Sequence, residues 1–230
     1  MENLLLEMAL HASGVNAHNE IVSYQVKLDQ IFRNFISTLG CELDPPRKAE
    51  NLFHWLWEEK PSRYEPHGRY KINEIIDAQL DPGSPAVGNC LGLTLLYNCL
   101  LRKLGLKAKA VYLETAFDLR PHVFSLIETE ESFIDVENMF PTGFDYPGHR
   151  DNPSRIIWGD RELVADIHFS LGNEFFEKRE WEEAFKSYNL AIRLNPNYEK
   201  AFFNRAMVLD QIRMEIFKEI GERGANDKGL

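Results

Sequence analysis

The segment spanning residues 91–104 constrains the fold most. Leu91, Leu93, Leu95, Leu96, Tyr97, Cys99, Leu100, Leu101 and Leu104 cover nearly every side of a helix, and Gly105 ends it. A helix that is apolar all round has to be enclosed by other elements. This is therefore the central helix of a domain, and Cys90 stands at its start.

The flanking sequence supplies the enclosing layers. Tyr24, Leu28, Ile31, Phe32, Phe35 and Leu39 recur at helical spacing over residues 20–39, with Gly40 as a stop signal. Asp44-Pro45-Pro46 opens a second helix over 48–59, a polar stretch fills 60–69, and a shorter helix covers 72–79. Asp81-Pro82-Gly83-Ser84-Pro85 is a loop by its turn residues. Three strand-like runs follow the central helix, at 108–113, 122–127 and 132–136, the last two joined as a hairpin through the polar residues 128–131. Residues 141–160 lack a period and read as a loop. The expected class is α+β: a helical N-terminal part, a central buried helix and an antiparallel sheet.

The pattern changes from residue 165. Leu171-Gly172, Phe175, Ala184, Tyr188, Ala191 and Pro196 fall at the spacings of a tetratricopeptide repeat, with Trp181 at the turn between its helices. Residues 198–212 resemble the first helix of a second, incomplete unit, followed by a polar tail over 222–230. Three parts are expected: an N-terminal helical segment (1–45), a core (46–160) and a short helical repeat segment with its tail (161–230).

Charge and cysteine usage narrow the function classes. The 26 Lys+Arg stand against 36 Asp+Glu, a formal net charge of -10, which repels phosphate backbones and argues against broad nucleic-acid binding. No stretch approaches the roughly 20 apolar residues of a membrane span, and the amino terminus lacks the basic start of a signal peptide. Cys41, Cys90 and Cys99 form no C-x-x-C pair, so neither a disulfide framework nor a Cys-rich zinc site is expected, and a reducing, cytoplasmic location fits. His54, His67, His149 and His168 lack metal-ligand spacing, so no metal and no cofactor are expected. Trp55, Trp57 and Trp158 read as packing residues.

Cys90 is the leading functional candidate. The partial positive charge at a helix N-terminus favours a thiolate, and free backbone N–H groups there can receive an oxyanion. Cys99, nine positions on, falls on the opposite helix face and reads as core, and Cys41 lies in a loop. The hairpin offers partners for Cys90. With a two- or four-residue turn, His122 opposes Glu137, and Asp135 becomes a diagonal neighbour of His122 on the same face. Either carboxylate can then orient the imidazole, leaving its other nitrogen for Cys90.

Gly88-x-Cys90, a buried helix ending Leu104-Gly105-Leu106, His122 opening a strand and Asp135 on the next together resemble the transglutaminase-like core of the papain-like thiol superfamily. The resemblance covers residues 48–140, and with the C-terminal repeat it is similar to a bacterial transglutaminase-like branch carrying tetratricopeptide repeats. It implies a catalytic triad of Cys90, His122 and Asp135. Leu91 stands where relatives often have an aromatic residue, and Val136 where they commonly have Pro. Asn89 and Gln79 are candidates for a side-chain oxyanion donor, and His149 and Asp151 for lining the cleft.

Two functions compete. The first is a thiol enzyme performing acyl transfer, as hydrolysis or transamidation, on a protein or peptide substrate. The second is a non-catalytic adaptor whose repeat segment binds a protein partner.

Overall fold

The computed structural model describes residues 4–40, 44–117, 120–130 and 132–226, with side chains to residue 218. Cys41, Glu131 of the hairpin turn and residues 227–230 of the polar tail lie outside the described residues. The chain divides into two compact units, residues 1–163 and 164–230.

The first unit begins with α1 (Leu4–Ala12), α2 (His18–Ile36), α3 (Pro45–Glu59) and α4 (Ile72–Leu80). Asp44 caps α3, its side chain accepting from the Arg47 amide, and prolines occupy the first helical positions, where their missing N–H costs nothing. The helix α1 was not evident from periodicity. Its Leu5, Leu6, Ala9 and Leu10 are buried, so a nine-residue element is held by packing rather than by a long amphipathic pattern.

Helix α5 (Cys90–Lys103) is buried on all sides, with every residue from Leu91 to Leu101 out of solvent. Its few polar side chains each find a fixed partner. Tyr97 donates to the Ala49 carbonyl at 2.8 Å, Asn98 to the Lys109 carbonyl at 3.0 Å and Thr94 to the Val123 carbonyl at 3.3 Å. A buried polar group left unpaired costs about 1–3 kcal/mol, so these bonds pin the helix in rotation and translation.

The helix packs on a four-stranded antiparallel sheet of order β3-β2-β1-β4, with β1 at Lys107–Ala116, β2 at Arg120–Glu128, β3 at Phe133–Val136 and β4 at Ile156–Trp158. The edge strand β4 lies in the segment read as a loop. Only three residues long, it carries no alternation to detect, and stacking of Trp158 on Tyr112 at 4.2 Å accompanies its pairing with β1. No helix among the described residues is long and apolar enough to cross a membrane.

The second unit comprises most of α6 (Asp160–Glu177), with α7 (Trp181–Leu194) and α8 (Glu199–Asn226). Ala184, Tyr188 and Val208 form its core, with Phe169, Phe175, Phe176 and Trp181 packed against it. α8 stands where the first helix of a second unit is expected, and it continues without a break to Asn226, into the segment read as a polar tail.

Candidate thiol site

Asn89 starts the site. It is the N-cap of α5, its side chain accepting from the Gly92 amide at 3.2 Å, which leaves Cys90 as the first residue of the helix. Cys90 is partly exposed, whereas Cys99 is buried and its thiol is pushed up to about 12 by burial. Gly88 approaches α4 closely: a Cβ there would lie 2.2 Å from Ile75 Cδ1 and 2.5 Å from the Arg69 carbonyl oxygen. The glycine is required by this contact rather than by a sharp turn.

Thr94 lies one helical turn beyond Cys90 on the same face and is bonded to the Val123 carbonyl. That bond sets the neighbouring residue, His122, beside Cys90, close enough for the thiol to raise the imidazole. His122 is only 5% exposed. Its Nε2 lies 2.6 Å from Glu137 Oε2, so Nδ1 is the nitrogen left for the sulfur.

The carboxylate at the imidazole is Glu137, and Asp135 is elsewhere. Strand β3 pairs with β2 so that Leu126 faces Asp135 and Ser125 faces Val136. This register is displaced by two residues from the one expected, which carries Asp135 away from His122 and brings Glu137 to the diagonal position. The side-chain period is two, so the displacement keeps both acids on the same face while exchanging their neighbours. Asp135 instead receives Arg155 in a bidentate pair, at 2.8 and 2.7 Å.

Glu137 is fully buried, and its backbone N–H donates to the Gly143 carbonyl at 2.8 Å. Gly143 is indispensable to that approach, since a Cβ there would sit 1.9 Å from the Glu137 carbonyl oxygen. Burial alone favours the neutral acid, yet the bonds to His122 and its charge hold the Glu137 carboxyl below its ordinary range. Burial likewise opposes the imidazolium, but the hydrogen bonds to Cys90 and Glu137 outweigh it and raise His122 to about 10. The arrangement favours a protonated imidazole held between sulfur and carboxylate.

Two further residues complete the surroundings, Tyr64, which was not foreseen, and His149. Tyr64 belongs to a short bridge pairing with Gly88, and burial, then the neighbouring Cys90 and Glu137, raise its hydroxyl to about 12. It therefore remains a proton donor at neutral pH. His149 comes from a single 3-10 turn at Pro147–His149, with its Nε2 3.4 Å from Glu137 Oε2. Phe117, Phe124 and Tyr146 hold its ring, at centroid distances of 4.8, 5.3 and 5.1 Å. Beside it opens a cavity of about 380 Å³, lined by Ala116, Phe117, Tyr146 and Asn152 among others. His149 thus takes the place beside the site that its loop position suggested, while Asp151 is exposed.

The remaining candidates fall outside. The Asn89 side-chain oxygen is occupied in capping α5. Gln79 lines a different cavity with Lys60 and Ser84. The expectation of no metal-ligating set is revised, because His122, Glu137 and His149 bring their ligand atoms within 4.8 Å of one another.

Comparison with known proteins concerns the other unit. Residues 172–211 match the family described as TPR repeat. The chain contains a TPR repeat. A 47-residue stretch is 38% identical to the Hsp70-Hsp90 organising protein of Plasmodium falciparum (isolate 3D7), covering 20% of this chain and 8% of that relative. No solved structure matches the chain. The repeat's turn places Arg179 in the left-handed region at φ 61, and the tyrosine core beneath it is tied by Tyr188 donating to Asn173 at 2.8 Å.

Proposed function

We propose that residues 1–163 carry a thiol acyl-transfer site in which Cys90 is the nucleophile, His122 its proton-transfer partner and Glu137 the residue orienting the imidazole. The observation that carries this reading is the succession of Cys90 at a helix start, a buried His122 beside it and a fully buried Glu137 bonded to that imidazole. Ordinary packing does not call for a partly exposed thiol, a buried imidazole and a buried carboxylate in succession, and such arrangements are characteristic of activated nucleophiles. The sequence resemblance to transglutaminase-like proteins points the same way, with Glu137 in place of the expected Asp135.

In the reaction proposed, the Cys90 sulfur attacks a carbonyl carbon while its proton resides on His122 Nδ1. The Cys90 amide, which has no acceptor within its own helix, faces the developing oxyanion. His122 then gives the proton to the leaving amine as the carbon–nitrogen bond breaks, leaving a thioester on Cys90. Water or a second amine attacks the thioester, loses its proton to His122, and returns the thiolate. Glu137 accepts from Nε2 throughout and fixes the tautomer. In this reading the Tyr64 hydroxyl, protonated at neutral pH, donates to the substrate or the oxyanion.

An activated ester such as p-nitrophenyl acetate tests this without knowledge of the substrate. The expected result is acetylation mapped to Cys90, absent in Cys90→Ala and slowed roughly 100-fold in His122→Ala. Acetylation of Cys90 that proceeds as fast in His122→Ala as in the unaltered chain would overturn it.

A second reading is favoured by the TPR match: the chain binds a protein partner through the repeat, and residues 1–163 serve as a scaffold. Proteins captured from a lysate by the unaltered chain and by Cys90→Ala, but lost with the repeat-disrupting Gly172→Leu, would support that role. Multiple turnovers dependent on Cys90 would retire it as the sole function. The two readings are compatible, the repeat then presenting a protein substrate.

A further inference from the structure

We infer that His122, Glu137 and His149 form a binding site for a single zinc-type divalent ion. The three ligand atoms come from β2, the residue after β3 and the 3-10 turn, and lie within 4.8 Å of one another. All three residues are buried. The ion site goes beyond the thiol reading and does not depend on it.

His149 is the second, independent observation. It is 5% exposed, and its Nε2 makes no hydrogen bond. That nitrogen lies 3.4 Å from Glu137 Oε2, within reach but misaligned for donation. Aromatic rings on several sides hold the imidazole in this pose, so the buried nitrogen is paid no compensation by rotating away. A fixed nitrogen whose nearest polar neighbour is a carboxylate at 3.4 Å, itself already bonded to another imidazole, is the disposition of a ligand set.

The donor chemistry selects the ion. Two imidazoles and one carboxylate suit zinc and its neighbours rather than calcium or magnesium, and leave a fourth position for water. Ligands about 2.0–2.1 Å from a tetrahedral zinc lie about 3.3 Å apart. The separation of His149 from Glu137 already meets that, whereas the 2.6 Å hydrogen bond from His122 has to open by about 0.7 Å. On binding, the Nε2 proton leaves for solvent and Nδ1–H remains toward Cys90. Cys90 lies at the opposite edge of the ring and is no ligand.

The test titrates the metal-stripped full chain with Zn2+ against a chromophoric chelator. One ion per chain is expected, with affinity lowered at least about tenfold in both His149→Ala and His149→Phe, the latter refilling the ring volume. Circular dichroism melts verify that each variant is folded. Cys90→Ala should bind within twofold of the unaltered chain, and the Co2+ complex should lack a thiolate-to-metal charge-transfer band. Binding indifferent to both His149 changes, binding lost in Cys90→Ala, or a thiolate band would each overturn the assignment. Absence of acetylation in the metal-free chain would count against the thiol reading alone, since the titration reads the ion site directly.

Discussion

At Glu137 the two carboxylate oxygens serve different partners. Oε2 meets His122 at 2.6 Å, and Oε1 accepts from the Met139 amide at 3.2 Å. Asp135, two residues earlier, is bound to Arg155 on both oxygens, an arrangement that fixes the loop carrying Arg155 to the sheet. The two acids therefore separate under mutation. Asp135→Asn should cost about 3 kcal/mol of stability, by leaving a largely buried guanidinium with half a partner, while Cys90 acetylation of the folded protein persists. Glu137→Gln should slow acetylation roughly tenfold or more, because the amide no longer stabilises an imidazolium. Urea unfolding and peptide mapping distinguish the two outcomes.

The pair also sets a pH dependence. The imidazole of His122 is raised from 6.5 to about 10, so its contribution to stability is complete below about 6.5 and is lost as pH rises through about 10. Glu137 is lowered, so its contribution is present above its ordinary value of 4.5 and is lost as pH falls through the depressed one. Thermal melts of the metal-free chain should decline from neutral pH toward 10, and His122→Gln should flatten that decline. Cys90 and His122 were legible from sequence because each sits at a local signal, a helix start and the head of a strand's apolar run, although β2 begins two residues earlier, at Arg120. The partner acid was not, since it depends on strand register, and the four-residue turn sits one residue further along the chain than expected. His149 had less signal still: only Pro147-Gly148 marks its turn, and its companions in the site come from distant segments.

Helix α5 is the element on which the site depends. Its apolar circumference foretold its central position, and its polar residues, Thr94 above all, decide which way Cys90 faces. Asn138 reinforces this by donating to both Thr94 and Ser125, at 3.3 and 3.0 Å. Gly88 lets the start of the helix rest against α4. Gly88→Ala should therefore cost about 2 kcal/mol, because the added methyl meets the Arg69 backbone as well as the mobile end of Ile75, and backbone yields poorly. A variant that remains folded should also show slower Cys90 acetylation, since the displaced helix start carries the nucleophile. The short elements α1 and β4 escaped the sequence for the complementary reason that packing, not periodicity, defines them.

For the molecule as a whole, each unit has its own core: α5 against the sheet in one, and Tyr188 with Ala184 and Val208 in the other. The repeat was readable because many positions recur in register over a single supersecondary unit. The first unit was readable in class but not in detail, because its sheet order and its acidic partner rest on long-range pairing. The central claim is that Cys90 is activated by His122, and it is tested most directly by the rate of Cys90 alkylation by iodoacetamide across pH. At pH 6, Cys90 of the metal-free chain should react at least about tenfold faster than an ordinary thiol, with His122→Ala returning it to the ordinary rate. An ordinary rate at pH 6, unchanged in His122→Ala, would contradict the account.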